Sequence, residues 1–228
     1  MSVNRRVERA FKLAGVVDEP IVVGVSGGPD SQALLKCLGH LRNRLGVSPT
    51  AVGINHGLRA AADSELDMAE RLSNDVGITF VRLRVHVDGG GSLQAAARQA
   101  RYGALNRVAD DVGARFVVTA HHWDDRAETV LFRLLRGRGL GSLAVMPPVS
   151  GRIFRPMLDV RHDELLEYCH RWKLQYALDP SNDDEKYSRV MIRKKLLPML
   201  EELAPQLRSR LNELADDALR LSSTTWTP

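Results

Sequence analysis

The chain has 228 residues and a mass of 25.3 kDa, more than one average domain and less than two. Apolar residues make up 44% and charged residues 26%, which excludes a disordered, collagen-like or coiled-coil chain. Lys and Arg number 32 against 28 Asp and Glu, giving a formal charge of +4 and a pI near 9.3, compatible with an anionic partner without requiring one. The two cysteines, Cys37 and Cys169, are far apart and form no CxxC pair, so neither a disulfide framework nor a cluster-ligand set is visible. No apolar run approaches the roughly 20 residues of a membrane span. The first twenty residues carry Glu8 inside an apolar periodicity, which reads as an amphipathic helix rather than a signal peptide. A cytoplasmic protein with no membrane partner is expected.

Apolar runs then alternate with helical patterns. Residues 21–25 (IVVGV) are short, β-branched and bounded by Pro20 and glycines, as in a buried strand. Residues 30–45 place Ala33, Leu34, Cys37, Leu38 and Leu41 at helical spacing. A second strand is expected at 50–54, a helix over 63–76 closed by Gly77, and an alternating third strand over 78–87. A long Ala-rich helix over 92–112 ends at Gly113, a fourth strand follows at 115–120, and a helix over 124–136 ends at Gly137. Strands alternating with helices of this length imply right-handed βαβ units and a mostly parallel sheet, with the ligand site at the strands' carboxyl ends. From about Gly141 the rhythm changes to a Pro-rich stretch with a short basic strand at 152–155. Helices are then expected over 159–172, 190–203 and 206–221. The expected architecture is α/β: a doubly wound, mostly parallel, five-stranded sheet with helices on both faces, over 1–140. A helical extension over 141–221 packs on it, and 222–228 form a tail.

The sharpest local feature is the strand–loop–helix run VVGVSGGPDS over 22–31. Adjacent glycines let the backbone turn tightly and gather N–H groups where the next helix presents its positive dipole end, a cradle for phosphate. It is no Walker A loop, since no Gly-Lys-Ser/Thr follows. Asp30 beside bound phosphates makes electrostatic sense with a divalent cation between them, which assigns it to Mg²⁺. A plain strand–helix turn, with Asp30 as a first-turn acid, accounts for the glycines equally well.

The SGGPDS loop resembles the signature of the PP-loop ATP pyrophosphatases. Further segments follow in order: Asn55-His56-Gly57-Leu58-Arg59, the run QAAARQARY over 94–102, TAHHWDDRAET over 119–129, Leu134-Leu135-Arg136-Gly137, Arg155-Pro156-Met157-Leu158 and Asp179-Pro180-Ser181-Asn182. Together they resemble the tRNA(Ile)-lysidine synthetases over nearly the whole chain. That resemblance implies a C–N bond-forming ligase that uses ATP to adenylate C2 of the wobble cytidine in a CAU anticodon, releasing pyrophosphate. The ε-amine of L-lysine then displaces AMP. The tRNA anticodon loop and lysine would be the substrates. Ser26, Gly27, Gly28, Pro29, Asp30, Ser31, His56 and Gly57 would bind the nucleotide. Asp30 and Glu128 would share Mg²⁺, Asp125 would lie near lysine or ATP, and Arg101 would contact phosphate or adenylate. Asp30, Arg101, Asp125 and Glu128 make up the expected catalytic set.

Asp125 and Glu128 are three apart and so share a helical face. A metal-dependent hydrolase built on His121, His122, Asp124 and Asp125 is a rival, and so are simple helix-capping acids. Arg133, Arg136, Arg138, Arg193, Lys194 and Lys195, with Arg152, Arg155 and Arg189 in the wider basic set, suit an RNA backbone, although charge runs also serve as solvated faces. Asn55, Gln94 and Val190 depart from the acid, glutamate and asparagine that the resemblance leads one to expect. Two other functions stay open: a PP-loop enzyme adenylating a small-molecule carbonyl in amide formation, and an ATP- or tRNA-binding module without turnover. The sequence leaves the oligomeric state open, a homodimer included.

Overall fold

The structure, a computed structural model, describes residues 1–57, 62–85, 93–177 and 188–223. Expectations that fall on Leu58, Arg59, residues 86–87 and Asp179 to Asn182, and on the tail from 224, lie outside the described residues. The chain folds as two compact units, Met1–Ala120 with Pro148–Ala177, and His121–Pro147 with Leu178–Pro228. The expected boundary at 140 is therefore not where the contacts divide the chain, because the helix that starts at Trp123 packs with the C-terminal helices.

The first unit begins with α1 (Val3–Ala14), which buries Val7 and Phe11 and ends at Gly15 in the left-handed conformation. β1 (Pro20–Val25), α2 (Pro29–Leu45), β2 (Ser48–Asn55), α3 (Ala62–Asp75), β3 (Thr79–Arg84), α4 (Leu93–Asp111) and β4 (Phe116–Val118) follow. The order across the sheet is β3-β2-β1-β4-β6-β5, with β5 at Val149–Ser150 and β6 at Ile153–Phe154. All pairs are parallel except β5 with β6. The sheet thus has six strands where five are expected: the basic strand is present as β6, and a two-residue partner lines up beside it.

Side chains alternate along β1. Ile21 and Val23 join the core shared with α1 and α2 (Phe11, Leu34 and Leu38), while Val22 joins the core under α4 (Leu105, Val108 and Ala109). Full burial of each such side chain contributes roughly 1.5–3 kcal/mol. α6 (His162–Arg171) lies against α2, and Arg6 of α1 forms a forked ion pair with Glu164. α6 starts later than the expected residue 159 because Asp159 to Arg161 still form the turn leading into it. The direction of winding reverses between β1 and β4, and doubly wound sheets bind ligands at that switch point.

The second unit is helical. α5 (Trp123–Leu135), a 3₁₀ turn (Leu140–Leu143), α7 (Ser188–Met191), α8 (Leu197–Leu203) and α9 (Leu207–Ser223) surround a core of Ala127, Val130, Leu131, Leu143, Ile192, Leu197, Leu211 and Ala215. The helix expected over 190–203 is interrupted by one π-helical turn, Ile192–Leu196, which redirects Arg193, Lys194 and Lys195. Buried Arg126 pairs with Asp216, and Arg208 pairs with buried Asp124, tying α9 to the first turn of α5.

Candidate nucleotide site

The phosphate loop joins β1 to α2. Gly27 has φ +78°, and a Cβ there would stand 2.4 Å from the backbone oxygen of Glu65, so the turn requires glycine. Gly28 is different: it is extended, and a Cβ would meet only the Ser26 hydroxyl, at 3.6 Å. Among the described residues nothing else fills the space in front of Gly28. Pro29 is the first helical residue, where its missing N–H costs nothing. The N–H groups of Asp30 and Ser31, in the first turn, have no acceptor within the helix. Ser31 braces the loop, donating from its hydroxyl to the Gly28 carbonyl (2.9 Å) and accepting from the Ser26 N–H (3.3 Å). The Ala177 N–H donates to the Gly27 carbonyl at 2.9 Å. Open space, first-turn donors, an exposed Ser26 hydroxyl and a positive helix end fit a phosphate group.

Asp30 is half-buried, and its Oδ1 lies 2.9 Å from Nδ1 of His162, the first residue of α6. A carboxylate in that position beside the phosphate cradle fits a hard divalent cation, with Oδ1 engaged by the imidazole. No local signal in the sequence singles out His162, since its partner lies 132 residues away.

The end of β2 contributes Asn55, His56 and Gly57. Buried Asn55 accepts from the Gly57 N–H (2.7 Å) and donates through Nδ2 to Asp63 of α3 (2.7 Å). A carboxylate could do the first and not the second, so amide and acid are matched across this turn. Asn55→Asp is expected to cost about 1 kcal/mol in urea unfolding at neutral pH, where two carboxylates face each other. Protonating one acid removes the repulsion, so the loss shrinks as pH falls into the carboxylate range. Equal stability of the two proteins at pH 7 would show that the pairing contributes nothing. Burial, and secondarily Arg101, hold His56 below the usual imidazole range, so it is neutral at pH 7. Arg101 reaches the same end of the sheet from α4, half-buried, with its guanidinium over Tyr102.

The remaining nominated residues belong to the second unit. Asp125 accepts from the His122 N–H (3.1 Å) and so closes the first turn of α5, as a capping acid does. Its other oxygen lies 3.4 Å from Arg193 Nη2. Glu128 is 5% exposed and takes two bonds from Arg193, at 2.6 and 3.0 Å. Burial raises the Glu128 pKa, and the Arg193 guanidinium opposes that rise. Asp125 and Glu128 thus form a seat for a cation, and Arg193 sits in it. Among the basic residues, Arg133 donates to the Ser142 carbonyl, while Arg136 is exposed with its guanidinium 4.2 Å from the Phe132 ring centre. Arg138, Lys194 and Lys195 are exposed.

Cys37 and Cys169 are both buried in the core of the first unit, and burial pushes each thiol up to about 12, so neither is a thiolate at neutral pH.

A parallel sheet with a glycine phosphate loop at its switch point, followed by an acid in the first helical turn, defines a nucleotide-binding α/β protein. Comparison with known sequences is specific: a PP-loop domain matches residues 1–200, and the chain belongs to that family. It is 39% identical over 198 residues to the tRNA(Ile)-lysidine synthase of Pseudomonas syringae pv. tomato, covering 85% of this chain and 44% of that protein. Over 220 residues it is 39% identical to the tRNA(Ile)-lysidine synthase of Ralstonia nicotianae, covering 93% and 46%. The chain therefore spans about half the length of these curated relatives. Among solved structures, the U34-tRNA thiolase NcsA from Methanococcus maripaludis, with its [4Fe-4S] cluster, shares the fold at TM-score 0.78 and 20% identity, covering 97% of this chain and 78% of that one. Among the described residues, no helix is long and apolar enough to cross a membrane.

Proposed function

We propose that the chain carries the ATP-using part of a lysidine-forming ligase. The observation that supports this most strongly is the match to lysidine synthases running through both the phosphate loop and the HHWDDRAET segment. In the first step, the C2 carbonyl oxygen of a wobble cytidine attacks the α-phosphorus of ATP. The bond to the β-phosphate oxygen breaks, and pyrophosphate leaves with the electron pair. In the second, the uncharged ε-amine of lysine attacks C2, the C2–O bond breaks, AMP departs and the amine loses a proton. The carbonyl oxygen is a poor leaving group, and adenylation makes it a good one. The remaining work is orientation and charge stabilisation.

In this reading Ser26, Gly27, Gly28 and Ser31 hold the nucleotide's phosphates, and His56 and Gly57 receive the base. Arg101 contacts phosphate, and Asp125 steers the lysine or ATP. Asp30 and Glu128 are the carboxylates for magnesium, whose chemistry is to neutralise charge on the phosphates. Both oxygens of Glu128 carry a bond from Arg193, so a cation held by Glu128 would share the carboxylate with that guanidinium. Arg136, Arg138, Lys194 and Lys195 are exposed cations that suit an RNA backbone.

The test is incubation with ATP, labelled L-lysine and a tRNA bearing a CAU anticodon. Label in the RNA, with AMP and pyrophosphate formed, is the expected result. Pyrophosphate release that needs a small-molecule acceptor and no RNA would move the protein to the amide-forming ligases. ATP binding without AMP formation would make it a binding module.

A further inference from the structure

Of the large apolar side chains that stand exposed among the described residues, Trp172 is the only aromatic one, at 43% exposure. It caps the C-terminal end of α6. Lys36 of α2 places its ammonium 4.9 Å from the indole centre, and the His40 ring lies 4.5 Å away at an interplanar angle of 48°. Lys36 and His40 are one turn apart on α2, so both reach the indole from that helix and leave its outer side to solvent. The frame behind them is bonded together: His40 Nδ1 lies 3.2 Å from the Tyr168 hydroxyl, which donates to Asn4 Oδ1 at 2.8 Å. Partial burial, and after it the Lys36 charge, hold His40 below the usual imidazole range, so it packs as a neutral ring at pH 7.

Cations surround this ring in the chain and in space. Arg171 and Lys173, its neighbours in sequence, are exposed, and Lys36 is half-buried. Among the described residues no carboxylate forms an ion pair with any of the three, although Glu167 stands one turn before Arg171. Lys173 has φ +51° just past the helix end, a position that favours glycine. The cation beside the indole is therefore held there at a conformational cost. The distance to the phosphate loop follows from helix geometry. Lys36 and His40 follow Asp30 by six and ten residues on α2, about 9 and 15 Å along its axis. Trp172 follows His162, which touches Asp30, by ten residues on α6, again about 15 Å.

We infer that Trp172, with Lys36, Arg171 and Lys173, forms a stacking platform for an unpaired base of the anticodon loop, whose neighbouring phosphates meet the three cations. This rests on the RNA-modifying reading above. At roughly 3.4 Å per stacked nucleotide, the platform is about three or four nucleotides from the acid assigned to the reaction, so it meets the same loop that presents the reacting base. A single RNA strand alternates a flat π-surface with a charged phosphate, and any base can stack on an exposed ring. An acidic peptide would satisfy the cations and leave the indole uncovered.

The experiment is fluorescence anisotropy of a labelled anticodon stem-loop RNA with a CAU loop, titrated with the whole chain at several salt concentrations. It uses the unmodified protein, Trp172→Ala, Trp172→Phe and Lys173→Gln, each checked by thermal melting and by ATP binding. Trp172→Ala is expected to raise the RNA Kd about ten-fold, the effect of losing one stacked base. Trp172→Phe, which keeps an aromatic ring, should stay within about three-fold of the unmodified protein, and ATP affinity should stay within about two-fold in all variants. Lys173→Gln should reduce the salt slope by about one unit, as for one lost phosphate contact. Unchanged RNA affinity in Trp172→Ala, or an unchanged slope in Lys173→Gln, overturns the platform. So does a loss in Trp172→Ala that appears with polyglutamate and not with RNA, which would assign the face to an acidic protein. If the unmodified protein binds no stem-loop RNA, the RNA substrate itself falls and the platform with it. If it binds and labels the RNA while Trp172→Ala matches it, only the platform is lost.

Discussion

Asp30→Asn is expected to reduce pyrophosphate release from ATP by on the order of 10²–10³-fold while leaving the protein folded. Removing one preorganised electrostatic partner of a charged transition state has an effect of that size. The substitution keeps the shape of the side chain and removes only its charge. One structural partner is His162, and both side chains are partly exposed, at 30% and 41%. A polar contact that open to water contributes at most about 1 kcal/mol. For a chain of this length that is a melting shift of roughly 2–4 °C. Activity and stability should therefore separate cleanly when pyrophosphate release and thermal unfolding are followed on the same samples. Full turnover in Asp30→Asn would remove the carboxylate from the nucleotide's chemistry. A collapse of the fold would mean that the His162 contact matters far more than its exposure allows.

The two loop glycines should respond in opposite ways to the same added methyl group. Gly27→Ala forces a left-handed backbone on an L-residue, which costs about 1–2 kcal/mol. It also drives the Cβ to 2.4 Å from the Glu65 carbonyl, an overpacking that adds roughly 1–3 kcal/mol. The sum is a large share of a typical total stability of about 5–15 kcal/mol, so a marked drop in the urea midpoint is expected. Gly28→Ala needs no unusual backbone and, among the described residues, meets only Ser26, at 3.6 Å. It should change stability by less than about 1 kcal/mol. The methyl would stand in the space before the first turn of α2, so ATP affinity should fall at least ten-fold. If Gly28→Ala binds ATP like the unmodified protein, phosphate does not lie where the open space suggests.

Local chemistry is legible in the sequence, and long-range pairing is not. The βαβ rhythm was legible because each element buries one periodic face. Gly77, Gly113 and Gly137, the expected helix ends, all have positive φ. The phosphate loop was legible because its chemistry is local: six consecutive residues turn, cap and begin a helix. β5 was missed, since two residues carry no periodicity, and its existence depends on pairing with β6. The π turn at Ile192–Leu196 was likewise hidden inside a continuous helical pattern. Long-range charge pairing was the least accessible. Arg193, read as an RNA cation, is bound to Glu128, 65 residues earlier in the chain. Asn55 looked like a departure that removed a charge, and only the proximity of Asp63 shows why an amide is suited there.

The bond from the Ala177 N–H to the Gly27 carbonyl ties the nucleotide loop to the order in which the polypeptide is made. On the ribosome, the glycine turn emerges 150 residues before the amide that pins it, and β6, which extends the sheet beside β4, emerges only shortly before that amide. Domains fold as units during synthesis, yet this one is split by an insertion from 121 to 147. The nascent protein therefore has to carry an unfinished sheet edge past the insertion, and the bond that pins the Gly27 carbonyl forms only after Ala177 has emerged.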